Sequence, residues 1–291
     1  MQGWLVVNAF LQKQKFKEIY ALLSGAAARR GVELTLKTNA ELFSVKNEEF
    51  LGANRPDFVL FWDKDVALAR RLEQKGLRLF NSAETIEICD NKILSALALE
   101  RAGVVTPKTL PAPKTFEGVG YTDLSFLGAA GEILGFPMVI KEACGSFGQQ
   151  VYLAKTREDA EKIVEKIGYK EFLMQEYIAK SCGRDIRVNV VGGRAVCAIL
   201  RENGGDFRSN ITGGGKASAH TLTKEQEELA VRACEAAGAD FAGVDILFGE
   251  DGPLVCEVNS NLHFKSSLDC TGIDVSEYIL EHIVNVTAGQ V

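Results

Sequence analysis

The sequence holds no uninterrupted apolar run that reaches the ~18 residues of a membrane span, so no membrane association is expected. It has no basic segment leading into an apolar one at its start, where an apolar strand pattern begins at once, and no secretory leader is expected. Positive charge is in deficit: 33 Lys and Arg stand against 39 Asp and Glu, a net −6. That balance gives no support to a nucleic-acid surface, whose footprint is a basic patch. The seven cysteines form no CxxC pair or zinc-like spacing and read mostly as small buried hydrophobes in a reducing cytosol. Cys144 is set apart because it lies in a glycine-rich loop. His220 and His263 sit in no HxH or HExxH context, and no Ser/His/Asp or Cys/His constellation is visible. Internal repeats and low-complexity tracts are missing too. What these absences leave is a cytoplasmic protein of ordinary composition, 46% hydrophobic and 25% charged. Its 291 residues are enough for two or three compact units.

Residues 1–83 alternate strand and helix patterns: Trp4 to Val7, a helical stripe Phe16, Ile19, Tyr20 and Leu23, then Val32 to Leu36 and the apolar run Phe58 to Trp62. A helix from Ala67 to Gln74 and a short strand Leu77 to Phe80 complete a small open α/β layer. Residues 84–120 read as one helix from Glu84 to Arg101, followed by a linker with three prolines. Residues 121–180 read as a small lid-sized unit, with strands Phe136 to Lys141, Val151 to Ala154 and Phe172 to Ile178, and a helix capped by Thr156. Residues 181–291 hold two hairpins. The first turns on Gly192-Gly193 and the second on Glu250 to Pro253, with a helix opened by the Thr223/Gln226 capping box between them.

The second hairpin carries the clearest chemistry. Asp245 interrupts the apolar run Phe241 to Phe248, and Glu257 and Asn259, two apart, share one face of the partner strand. Carboxylates crowded among apolar residues are costly unless they are paired or metal-bound. An all-oxygen set suits Mg²⁺, which leaves positions for phosphates and water. A solvated sheet face is the alternative reading.

Lys141 to Gly148 follows an apolar strand and contains Gly145, Ser146 and Gly148, so its backbone N–H groups can turn toward an anion beside a lysine charge. It matches neither the P-loop nor the dinucleotide fingerprint, and by itself reads equally as a surface turn. Lys92, in Asp90-Asn91-Lys92 on the long helix, reads alone as a surface lysine. Arg201, Arg208 and Asn210, next to a glycine cluster, could hold an oxyanion or a substrate carboxylate, or form a mobile charged loop.

In order and spacing these segments resemble the RimK-like branch of the ATP-grasp superfamily, from about Phe80 to Ile279. The matching pieces include Asp90-Asn-Lys92, Phe136 to Lys141, Gln175-Glu-Tyr-Ile178, Gly183-Arg-Asp-Ile-Arg187, Gly205 to Asn210, Ala242 to Leu247, Glu257-Val-Asn259 and Thr271-Gly-Ile-Asp274. The resemblance implies an α/β chain, α+β in its ATP-grasp part, with a small N-terminal open α/β domain before a two-part fold that grips ATP. It implies that Lys92 and Lys141 contact the phosphates under a lid containing Gly145, Ser146 and Gly148. Gln175, Glu176 and Ile178 would form the adenine-side hinge, with Asp185 toward the ribose or the substrate. Asp245, Glu257 and Asn259 would hold Mg²⁺ as two ions, with Mn²⁺ as a substitute. Arg201, Lys141 and Asn210 would act on the transferred phosphoryl group, and Arg208, Asn210 and Lys265 would face substrate.

The activity implied is ATP-dependent carboxylate–amine ligation through an acyl phosphate, giving ADP and phosphate. The implied partners are an amino acid such as glutamate and a carboxylate-bearing peptide, carrier protein or small metabolite, with the chain itself a dimer or tetramer. The alternative is a catalytically weak ATP- or ADP-binding regulatory protein. After Asn259 the sequence Ser-Asn-Leu-His-Phe-Lys-Ser266 departs from the Ser-Pro-Gly of glutamate-extending members and looks more like the lysine-biosynthesis carrier-protein ligases. Gly205 to Asn210 leans back toward the former. Asn8 to Lys15 and Asp63 to Asp65, each after a strand, are further candidate substrate contacts without a specific match.

Overall fold

The computed structural model describes residues 1–44, 52, 55–145, 148–209 and 214–289. The first sheet is parallel, in the order β2-β1-β3-β4, from β1 (Gln2–Val7), β2 (Glu33–Thr38), β3 (Phe58–Trp62) and β4 (Leu79–Phe80). All of β3 is buried, which is why it reads as a continuous apolar run rather than an alternating one. Helices α1 (Gln14–Arg29), α2 (Asn39–Leu42) and α3 (Val66–Gln74) complete the layer. From β1 the chain passes first to β2 on one side and later to β3 on the other. The strand order therefore reverses between β1 and β3.

The stretch expected as one long helix is two, α4 (Ala83–Asp90) and α5 (Lys92–Arg101). Asn91 breaks it: its backbone is extended, with φ −106° and ψ 109°, and its Oδ1 accepts from the N–H groups of Ile93 and Leu94 at 2.9 and 3.2 Å. A side chain that caps a helix competes with helix continuation, and apolar spacing alone cannot register that competition. The stretch expected as linker also holds a strand, β5 (Thr109–Pro111). β5 is the edge of an antiparallel sheet in the order β5-β8-β6-β7, where a proline costs no ladder bond. Its partners are β6 (Met138–Glu142), β7 (Val151–Ala154) and β8 (Phe172–Glu176). Helices α6 (Phe126–Leu134) and α7 (Arg157–Ile167) pack on this sheet around Met138, Ile140, Phe172 and Met174.

The third sheet is antiparallel, in the order β11-β10-β9-β12-β13. It comprises β9 (Arg184–Val191), β10 (Arg194–Glu202), β11 (Lys216–Ala219), β12 (Phe241–Phe248) and β13 (Pro253–Asn259). The β9–β10 turn needs positive φ at both central positions, and Gly192 and Gly193 supply 53° and 73°. Helix α8 (Lys224–Ala236) starts at the Thr223/Gln226 capping box, and α9 (Lys265–Thr271) and α10 (Val275–Thr287) end the chain's regular structure.

The first and last units share one apolar core. Leu5, Leu60, Trp62 and Phe80 pack with Phe241, Phe264, Ile279 and Ile283, and Trp62 stacks on Phe241 with ring centroids 5.6 Å apart. Of the seven cysteines, Cys89, Cys197 and Cys234 are buried, fewer than expected, while Cys144 and Cys182 are exposed. Among the described residues no helix is long and apolar enough to cross a membrane.

Candidate active site

One cavity of about 620 Å³ lies where the three sheets meet, and residues of all three line it. Its floor is the β9–β12–β13 face, set by a bulge. Asp245 opposes Glu257 and Ile246 opposes Val255, so Cys256 is the extra residue of β13. Val255 and Val258, three apart rather than two, both face the core, while Cys256 and Glu257 line the cavity. A bulge re-aims side chains in this way.

Two arginines and two aspartates form the centre of that floor. Arg201 Nε donates to Asp185 Oδ1 at 2.7 Å and its Nη2 lies 2.9 Å from Asp245 Oδ2. Arg187 Nη2 donates to Asp245 Oδ2 at 2.8 Å and its Nε to Oδ1. The register explains the pairing, since Arg201 lies opposite Asp185 and Asp245 opposite Arg187. Burial opposes the charge on Arg201, but Asp245 and Asp185 outweigh it and raise its pKa. Burial likewise pushes Asp245 up, yet Arg187 and Arg201 prevail and hold its carboxyl below the usual range. Asp185 goes the other way: burial, helped by nearby Asp245, outweighs Arg201 and raises it. Two guanidinium groups set against two carboxyl groups offset one another, which lowers the cost of burying them with so little solvent.

The cation side comes from the central sheet and from the start of α5. Lys141 Nζ, on β6, donates to Gln175 Oε1 at 2.7 Å and lies 3.4 Å from Cys256 Sγ. Gln175 in turn donates to Thr109 Oγ1 at 2.8 Å, tying the edge strand to the site. Lys92 Nζ, at the start of α5, donates to the Gly145 carbonyl at 3.1 Å and stands 3.7 Å from Glu257 Oε1. The helix break at Asn91 puts it there, because Lys92 N–H also bonds the Ala143 carbonyl at 2.8 Å.

Asp245, Glu257 and Asn259 offer oxygen donors only, which suits a hard divalent cation. The test is whether they have capacity left. Asp245 already receives three N–H groups, leaving roughly one of about four lone-pair positions. Glu257 touches only Lys92 among the described ion pairs, and Asn259 uses its Nδ2 on the Gly243 carbonyl at 3.4 Å, keeping Oδ1. The set fits such an ion, Glu257 and Asn259 more openly than Asp245.

The remaining expected site residues are distributed as follows. Gly145, Gly148, Glu176, Ile178, Asp185, Arg208 and Lys265 line the cavity. The backbone N–H of Glu176 is committed to the Lys108 carbonyl at 2.9 Å. Arg208 is held by Asp206 and donates to the Gly148 carbonyl at 2.6 Å, so in this state it ties the glycine loop rather than facing a substrate. Lys265 is ion-paired with Asp269 one turn along α9. Ser146 and Asn210 lie outside the described residues. Arg187 and Cys256 received no role from the sequence. The Val255–Val258 spacing was the one signal for Cys256, and for Arg187 it was the strand register with Asp245.

A RimK-like ATP-grasp domain is matched over residues 89–283. The chain is 38% identical over 262 residues to the probable alpha-L-glutamate ligase 1 of Shewanella frigidimarina, covering 86% of this chain and 82% of that protein. It is 34% identical over 227 residues to human N-acetylaspartylglutamate synthase A, covering 77% of this chain and 56% of that longer protein. The crystal structure of a RimK domain ATP-grasp protein from Sphaerobacter thermophilus superposes with a TM-score of 0.74 at 23% identity, over 97% of this chain and 99% of that one. At that identity the likeness speaks to the fold alone.

Proposed function

The chain belongs to the RimK-like ATP-grasp family of amide-forming ligases, and from that premise we propose that it joins a carboxylate to the amine of an amino acid, glutamate above all, through an acyl phosphate. The observation that carries the reading is the convergence of Lys92, Lys141, the Arg187/Arg201 pair and the Asp245/Glu257/Asn259 oxygens on one cavity. The relatives named for glutamate ligation and for N-acetylaspartylglutamate synthesis support glutamate as one of the two molecules joined.

A substrate carboxylate attacks the γ-phosphorus of ATP, ADP leaves, and the acyl phosphate forms. The amine nitrogen then attacks the acyl carbon, phosphate leaves, and the amine loses a proton. Lys92 and Lys141 neutralise phosphate oxygens as charge shifts onto the leaving ADP. Arg201 and Arg187 meet the oxyanion of the tetrahedral adduct, their N–H groups passing from the aspartates to the more highly charged oxygens. Two divalent ions, Mg²⁺ or Mn²⁺, held by Asp245, Glu257 and Asn259, would lower the barrier by offsetting triphosphate charge. The glycine loop, tethered by Arg208 and Lys92, excludes water from the activated acyl group.

The test is Mg²⁺-dependent ADP release with amino acids and carboxylic acids supplied singly and in pairs, with mass analysis of the product. Release only with a matched pair, and a mass equal to their condensation, is expected. ATP binding without turnover on any amino acid, peptide or carrier protein would mark a regulatory nucleotide-binding protein instead. Glu257→Gln should lower kcat by about two orders of magnitude or more while the fold persists, and full activity in that variant removes the metal assignment.

A further inference from the structure

β8 reads Phe172-Leu-Met-Gln-Glu, and its residues from Phe172 to Gln175 are buried. Gln175 is thus a polar side chain, 6% exposed, where the strand otherwise places apolar ones. A buried amide persists when its hydrogen bonds are made. Those of Gln175 run sideways across the sheet. Thr109 lies opposite it on β5, and Val139 lies opposite it on β6. Lys141 is two residues beyond Val139, so the three polar side chains share one face and form a diagonal row over β5, β8 and β6.

Every link of that row has a donor and an acceptor. Thr109 Oγ1 donates to the Pro107 carbonyl at 2.8 Å and accepts from Gln175 Nε2 at 2.8 Å. Gln175 Oε1 accepts from Lys141 Nζ at 2.7 Å, and Cys256 Sγ, at 3.4 Å on β13, is the second acceptor of that ammonium. An ammonium has three N–H groups, so one is left for a ligand in the cavity that Lys141 lines. Both acceptors are anchored on one stretch of chain. Val255, beside Cys256, donates its N–H to the Val105 carbonyl at 2.9 Å, and Glu176, beside Gln175, donates to the Lys108 carbonyl at 2.9 Å. Residues 105–109 therefore fix Lys141 from two sheets at once. A second cavity of about 20 Å³, room for one water, is bordered by Lys141, Gln175, Thr109 and Glu257. Without the Gln175 acceptor the flexible lysine stem has that space to turn into, toward the Glu257 carboxylate.

We infer that Gln175 is a positioning residue: held by Thr109, its carboxamide oxygen sets the Lys141 ammonium to meet the terminal phosphates of the nucleotide. The side chain acts on the phosphate end of ATP and does not read the adenine. This role rests on the ligase reading only in placing triphosphate at Lys141, and is indifferent to which two molecules are joined.

Calorimetric titration of the whole chain with Mg²⁺-ATP, and with AMP by competition, separates the two ends of the nucleotide. Gln175→Leu should weaken ATP about tenfold and leave AMP within about twofold. Lys141→Met should do the same. The Gln175→Leu/Lys141→Met double variant should bind ATP no more weakly than Lys141→Met alone, since both changes remove one interaction. Thr109→Val, nearly equal in volume and on an edge strand, tests the row even where Gln175→Leu does not fold. It should weaken ATP about threefold, and Thr109→Ser, which keeps the hydroxyl, should recover most of that loss. In ADP release, Gln175→Leu should raise KM for ATP and leave KM for the amino acid unmoved. Equal weakening of ATP and AMP in Gln175→Leu, additive losses in the double variant, or unchanged ATP affinity in Thr109→Val overturns the assignment. If the phosphate-specific, non-additive loss is found in a protein that releases no ADP with any substrate pair, the ligase reading fails and the positioning role stands.

Discussion

At the scale of single residues, Arg201 does two jobs that experiments can separate. It is 7% exposed and bridges two carboxylates that would otherwise face each other with little solvent. Removing one partner of a buried ion pair is far more damaging than replacing the whole cluster by neutral groups. Arg201→Met should therefore cost on the order of 3–5 kcal/mol of stability, read as a lower urea midpoint. Adding Asp185→Asn should recover much of that loss, because the unpaired buried charge is gone. Ligase activity should not return with it, since under the proposed mechanism Arg187 is the one guanidinium of the pair left for the tetrahedral oxyanion. Activity restored in parallel with stability would reduce Arg201 to a structural role.

At the scale of elements, the break between α4 and α5 couples helix capping to the placement of Lys92 in the cavity. Asn91 caps α5 and forms an isolated bridge with Cys144, while the next residue, Lys92, holds the Gly145 carbonyl. Asn91→Ala should cost about 1 kcal/mol of stability. It should also raise KM for ATP several-fold, measured at saturating co-substrates, because the cap fixes where Lys92 stands. A loss of stability with KM for ATP unmoved would separate the two roles. The same break shows what a sequence conveys and what it withholds. Apolar periodicity made β1, β3, α1, α7 and both C-terminal hairpins legible, because each buries a face with a regular repeat. It could not mark Asn91, whose effect depends on one side chain turning back on the backbone, nor β5, three residues long with a proline at its end. The metal-ligand candidates were legible as polar residues in apolar strands, and the lysines from their order along the chain. Arg187 was not, because its importance comes from facing Asp245 across a register of 58 residues' separation. The Cys256 bulge was hidden similarly, since a one-residue slip appears only when two strands are laid side by side.

At the scale of the molecule, the N-terminal and C-terminal units are welded together through one apolar core, while the central sheet packs a core of its own. Asn81 is 1% exposed and spends its whole amide on the weld. Its Nδ2 donates to the carbonyls of Phe241 and Ser260 at 2.9 and 3.3 Å, and its Oδ1 accepts from the N–H groups of Asp240 and Phe241 at 2.8 and 3.3 Å. Asn81→Ala strands several buried backbone groups and should lower stability by about 2–4 kcal/mol, seen in calorimetry as a lower Tm. A variant within 0.5 kcal/mol of the wild type, a margin that is roughly the noise for surface substitutions, would mean water replaces the amide there. The central sheet keeps a separate apolar core around Leu127, Ile140, Val164 and Phe172. Independent cores let one body swing without unpacking the other. The cleft thus lies between the central sheet bearing Lys141 and Gln175 and the welded pair. If the proposed function holds, the wall from Asp63 to Asn259 belongs to the welded pair, so the side of the cleft that measures the substrate is built on a different core from the side that grips nucleotide.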